Sequence, residues 1–81
     1  MDIETRVKTI ISEIFDLGLD EVNENLNQES TSNWDSLGVI TLATALEDEF
    51  KLRISENELM ELTSYSAIMN LLHEHGLEVK V

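Results

Sequence analysis

An 81-residue chain with a formal net charge of −12, no cysteine and no proline has the size of one small domain, expected to span residues 1–81. A chain this short buries only about 60% of the surface it exposes when unfolded, which argues against an enclosed catalytic cleft, and without thiols there is no disulfide, thiolate nucleophile or zinc–thiolate site. The acidity argues against nucleic acid as a partner, since phosphate contacts need Lys and Arg, and favours basic protein surfaces, set against the plainer reading that it only keeps the chain soluble.

The opening Met1-Asp2-Ile3-Glu4 lacks the basic start and apolar run of a signal peptide, and no stretch reaches the ~20 apolar residues of a membrane span. A soluble cytoplasmic protein is the expectation. Ile3, Val7, Ile10, Ile11 and Ile14 recur at helical spacing and predict a first amphipathic helix over residues 3–16. Asp2 is placed to cap it, Glu4 suits the positive end of its dipole, and Gly18 is expected to end it.

Residues 19–35 hold no sustained period and read as a long loop, with Leu19, Val22, Leu26 and Trp34 as its expected anchors. Loops longer than about 12–15 residues are uncommon in compact domains and are usually functional. Trp34 suits a core anchor better than a ligand or partner contact.

A second helix is predicted over residues 36–50. Asp35 is a strong N-cap, because its carboxylate can accept backbone N–H groups of the first turn. Leu37, Ile40, Ala43, Leu46 and Phe50 form one stripe, widened by Val39 and Leu42; the widening means either burial on more than one side or an apolar strip left exposed for partners. Gly38 costs about 1 kcal/mol relative to Ala in a helix and is expected to leave open the surface beside Ser36.

Ser55-Glu56-Asn57-Glu58 is a capping box that opens a short third helix through Leu59 and Leu62. Thr63 or Ser64 caps a fourth helix with Tyr65, Ile68, Leu71 and Leu72 facing inward. Gly76 is its C′ stop, with Leu77 supplying the accompanying apolar contact. The tail Leu77-Glu78-Val79-Lys80-Val81 alternates with period two and is expected to fray or to lie against the bundle.

No catalytic residue and no metal site are expected. Ser36, Asp35 and either His73 or His75 are the parts of a triad, but the serine lacks the glycine-flanked elbow of a hydrolase and a neighbouring carboxylate opposes alkoxide formation. His73 and His75 stand two residues apart, on different sides of a helix, where the i, i+4 spacing of a metal pair is absent; both suit the negative end of the helix dipole instead. Ser36 itself occupies the first helical position, where backbone donors and the dipole favour an attached anion by about 0.3–1 kcal/mol. A phosphate-linked attachment and a plain first-turn serine are the two readings of that position.

Asp35-Ser36-Leu37, then Leu46-Glu47-Asp48-Glu49-Phe50 and Ile54-Ser55-Glu56-Asn57-Glu58-Leu59, resemble the acyl carrier protein family over nearly the whole chain. The resemblance implies an all-α four-helix bundle with a long loop between helices 1 and 2 and a short third helix. It implies a non-catalytic carrier on which a phosphopantetheinyl transferase moves 4′-phosphopantetheine from coenzyme A to Ser36, flanked by Asp35 and Leu37. The arm's thiol would then hold an acyl or aminoacyl group as a thioester.

The same resemblance implies a recognition face including Asp35, Thr41, Ala45, Glu47 and Asp48, read by acyl-activating or acyl-transferring enzymes with basic docking surfaces. It implies that Leu42, Leu46, Ile54, Leu59, Leu62 and Ile68 line a cavity for the acyl chain, or are simply core. The carrier is expected to be monomeric alone. Carriers of primary fatty acid synthesis usually have an acidic residue directly after the motif and another three positions later, where this chain has Gly38 and Thr41, and a glycine or alanine is commoner at the position of Trp34. These departures resemble discrete carriers of specialised pathways such as surface polysaccharide modification, polyketide assembly or D-alanine transfer. The alternatives are a fatty acid synthesis carrier and an acidic helical interaction module without a prosthetic group.

Overall fold

The computed structural model describes residues 2–77. The described chain folds as four α-helices, α1 (Ile3–Phe15), α2 (Ser36–Phe50), α3 (Glu56–Leu59) and α4 (Tyr65–Glu74), with a 3₁₀ turn at Leu19–Glu21 between the first two. The expected all-α bundle with a long first connection and a short third helix is the fold observed, with α3 ending at Leu59 rather than running on to Leu62. The alternating tail after Leu77 lies outside the described residues. No helix among the described residues is long and apolar enough to cross a membrane.

Local chemistry explains the helix starts. Asp2 Oδ1 accepts the Thr5 N–H at 2.8 Å, Asp35 Oδ1 accepts that of Gly38 at 2.9 Å, and Ser64 Oγ accepts that of Ala67 at 3.0 Å. Ser55 and Glu58 exchange hydrogen bonds of 3.2 and 3.0 Å in the expected capping box. Each such cap satisfies a first-turn N–H that has no partner within the helix.

The helix ends differ in part from expectation. α1 stops at Asp16, which adopts the left-handed conformation (φ 54°) and returns its N–H to Ser12 O. Gly18 lies beyond the stop in an extended conformation, its N–H held by Glu21 Oε2 at 2.7 Å. α2 ends in the same manner at Lys51 (φ 55°). After α4 the expected glycine stop is observed, with Gly76 at φ 90° and the Leu77 N–H reaching back to Leu72 O at 3.1 Å, while Leu77 packs on the core.

The core collects one face of each long helix. Val7, Ile11 and Phe15 from α1, Leu42, Ala43 and Leu46 from α2, and Tyr65, Ile68, Met69, Leu71 and Leu72 from α4 are buried together with Leu62. The stripe expected on α2 is therefore divided. Its inner residues are core, whereas Leu37 and Ile40 are 73% and 51% exposed.

The long loop is fastened by Val22, Leu26 and Trp34, all buried; Leu19, expected among these anchors, is exposed. Among the described residues one antiparallel bridge pairs Asn27 with Ser64, made by Gln28 N–H to Thr63 O at 2.8 Å and Tyr65 N–H to Leu26 O at 3.0 Å. Thr31 is buried in this loop with its hydroxyl lacking a hydrogen-bond partner.

Candidate functional site

The site begins with how the chain enters α2. Trp34 is 2% exposed and stacks on Phe15, with ring centroids 4.7 Å apart and an interplanar angle of 14°. Its indole N–H donates to Leu62 O at 3.0 Å. An indole buried with its N–H satisfied is a strong anchor, and it fixes the residue directly before the cap. The expectation of Trp34 as a core anchor holds.

Gly38 completes this seat. A Cβ there would stand 2.7 Å from Asn33 O and 2.9 Å from Phe15 Cε1, closer than packed atoms tolerate. The expectation for Gly38 is corrected accordingly: the missing side chain admits the loop backbone and the Phe15 ring against the first turn of α2, an inward role, rather than opening the surface at Ser36.

With Trp34 seated and Asp35 capping, Ser36 becomes the first residue of α2 and is exposed. Among the described residues its hydroxyl makes no hydrogen bond, and the N–H groups of Ser36 and Leu37 are likewise without a partner. Asp35 directs its carboxylate to Gly38 N–H, and His75 Nε2 lies 2.8 Å from Glu58 Oε2, so neither has Ser36 as its partner. A hollow of about 290 Å³ opens beside Ser36, lined by Val39, Ile40, Leu59, Met60 and Leu62 with Gln28 and Thr63 at its edge. An exposed hydroxyl, free first-turn N–H groups and an adjoining apolar hollow suit a phosphodiester with a long flexible arm.

A family model described as "phosphopantetheine attachment site" matches residues 5–72. The chain belongs to this family. It is a carrier domain, the site of covalently attached 4′-phosphopantetheine, and domains of this family carry a group without catalysing its chemistry. The resemblance read from the motif and its flanking helices is thus met by the family match and by the fold.

The other residues singled out in the carrier domain fall into distinct settings. Thr41 and Asp48 are exposed on α2, and Ala45 is half-buried. Glu47, also half-buried, turns its carboxylate back to accept the Ile54 N–H at 2.9 Å. Of the six residues named for a cavity, Leu59 and Leu62 line the hollow beside Ser36, Leu42, Leu46 and Ile68 are fully buried, and Ile54 is half-buried against the core.

Sequence reasoning did not single out Val39, Ile40 and Met60 for the hollow. Ile40 stands four residues after Ser36, on the same side of the helix, and that spacing was the signal available. Met60, 79% exposed, follows directly after α3 and carried no signal of its own. Glu58 is held below the usual carboxylate range, first by the Ser55 N–H and then by His75, which ties α3 to the end of α4 rather than to Ser36.

Proposed function

We propose that Ser36 is the attachment point, and that the 81-residue chain serves as a single, monomeric carrier domain presenting acyl or aminoacyl cargo to partner enzymes of a specialised biosynthetic pathway. The observation that supports this most directly is the exposed, unbonded Ser36 hydroxyl at the leading end of α2. When bound, the arm supplies a terminal thiol that this cysteine-free chain lacks, and with it a thioester link to cargo.

The chain's own part is to hold the alcohol still. The Trp34 anchor and the Asp35 cap fix the helix start, and Ser36 offers its oxygen to a phosphopantetheinyl transferase, which provides the base and metal. The Oγ–P bond forms, the pyrophosphate bond of coenzyme A breaks, adenosine 3′,5′-bisphosphate leaves, and the hydroxyl proton passes to the transferase. The negative charge gained sits where the dipole and the free N–H groups of Ser36 and Leu37 favour it.

Leu37 and Ile40, exposed beside Ser36, with Thr41 and Asp48 further along α2, form a surface for enzymes with basic rims and an apolar centre. Gly38 and Thr41 are neutral where fatty acid synthesis carriers are usually acidic, and this supports the specialised-pathway reading. Lost rim charges act mainly on association rate.

Incubation with a promiscuous phosphopantetheinyl transferase and coenzyme A, followed by intact mass measurement, tests the reading. The expected result is the mass of one arm, abolished by Ser36→Ala with helical content kept. An unchanged mass would instead support an acidic interaction module.

A further inference from the structure

Leu59, Met60, Leu62 and Thr63 form one wall of the hollow beside Ser36, and the segment that carries them, residues 54–65, is tied down along its length. At its start Glu47 Oε2 holds the Ile54 N–H at 2.9 Å. Within α3 the Glu58 carboxylate meets His75 Nε2 at 2.8 Å, fastening α3 to the end of α4. Beyond α3, Leu62 O accepts the Trp34 indole N–H at 3.0 Å, Thr63 O accepts the Gln28 N–H at 2.8 Å, and Tyr65 N–H donates to Leu26 O at 3.0 Å.

Behind this wall Leu42, Leu46 and Ile68 are fully buried, at the close packing that leaves no room for added methylenes. An acyl chain running inward from Ser36 would have to push Leu59 and Leu62 away from Val39 and Ile40, between which the hollow lies. That movement strips Leu62 O of its indole donor in a buried setting, where a lost partner is costlier than at the surface. The indole cannot follow the moving wall, because it is stacked on Phe15 and Phe15 is in turn pressed against Gly38.

We propose that Trp34 sets the length of the cargo: it bars long acyl chains from the bundle interior, so the carrier holds short acyl or aminoacyl groups that remain outside it. This rests on Ser36 as the attachment point. Trp34 is here a specificity-determining residue that acts through the position of Leu62.

The test loads the full chain with acetyl, butyryl and octanoyl pantetheine arms from the matching acyl-coenzyme A donors and a promiscuous transferase, with intact mass as the check on loading. Hydroxylamine then attacks each thioester carbonyl, releasing the hydroxamate and the free thiol, and its rate is referred to that of the same acyl group on free pantetheine. All three forms are expected to show the same relative rate and the same melting temperature. Protection of the octanoyl form by roughly tenfold or more, which reports a sequestered state rarely open to solvent, together with a raised melting temperature, would overturn the proposal.

Trp34→Phe keeps the ring on Phe15 and deletes the bond to Leu62. It is expected to protect octanoyl and not acetyl, and equal rates in that variant would take the role from Trp34. If Trp34→Phe does not fold, Trp34→Tyr, which also keeps a ring on Phe15 and lacks the indole N–H, carries the same comparison. An absent mass gain removes the proposal together with the reading of Ser36, whereas protection of octanoyl on fully loaded wild-type protein removes the proposal alone.

Discussion

Residues 16–35 carry almost no periodic pattern, yet they bury Val22, Leu26 and Trp34 and bridge to the segment before α4. α2 carries the densest apolar pattern in the chain, yet it leaves Leu37 and Ile40 in water. The irregular segment is the fixed seat and the start of the regular helix is what it presents. Order here follows from where the hydrogen bonds and rings go, not from the strength of a repeat. A carrier needs both properties, since partners must find the same alcohol in the same place.

The comparison breaks most sharply at Trp34. Trp34→Ala removes the stack on Phe15 and leaves Leu62 O unpartnered, and is expected to destabilise by about 3–5 kcal/mol, a large share of a small domain's total. Chemical denaturation would measure it, and a loss near that of a surface substitution would show that the loop is not the seat. Gly38→Ala comes next. Helix propensity alone predicts a gain of about 1 kcal/mol, but contact with Asn33 O and Phe15 is expected to reverse the sign to a net loss of about 1–3 kcal/mol.

Asp35 sharpens the contrast. Asp35→Ala is expected to cost about 1 kcal/mol by removing the cap, while Asp35→Asn keeps the cap and most of the stability. Loading kinetics on Asp35→Asn then read recognition by the transferase without interference from folding. On the presented side, Leu37→Ser and Ile40→Ser are expected to shift stability by no more than about 0.5 kcal/mol, while slowing acyl transfer by partners. A large fall in melting temperature in either would return these residues to the core.

The smallest effect is one of pH. The folded-state pKa of Glu58 lies below its ordinary value because of the Ser55 N–H and His75, so its contribution is complete above the ordinary carboxylate range and is lost as pH falls through the lower, folded value. Glu58→Gln is expected to flatten the acid limb of a melting temperature profile, and a profile identical to wild type would remove the contribution.

Much of this was legible in the chain. Asp2, Ser55, Ser64 and Gly76 announced their caps because capping is local chemistry between residues three or four apart. The bounds of α2 at Ser36 and Phe50 followed from Asp35 and the apolar period. The division of its stripe did not, because a helical repeat says which residues share a side but not which side meets a neighbour. Gly38, between Leu37 and Ile40, meets Phe15 of α1, and nothing in the spacing records which side of that turn is covered. Gly18 and Gly38 take parts other than those expected of them: the left-handed stop of α1 forms at Asp16, and the glycine in α2 is required by atoms from Asn33 and Phe15 rather than by the surface beside Ser36. The attachment motif was readable as a resemblance, but the anchor beneath it needed Leu62, 28 residues away from Trp34.

The chain contains one tryptophan, and it lies two residues before Ser36 with its ring against another aromatic. The molecule therefore has a built-in optical gauge. Emission and near-ultraviolet dichroism from that lone indole follow the seating of the presenting segment without any label. Stopped-flow mixing with a transferase would report, on the time scale of docking itself, whether the enzyme takes the alcohol from an undisturbed surface or first lifts it from its mount.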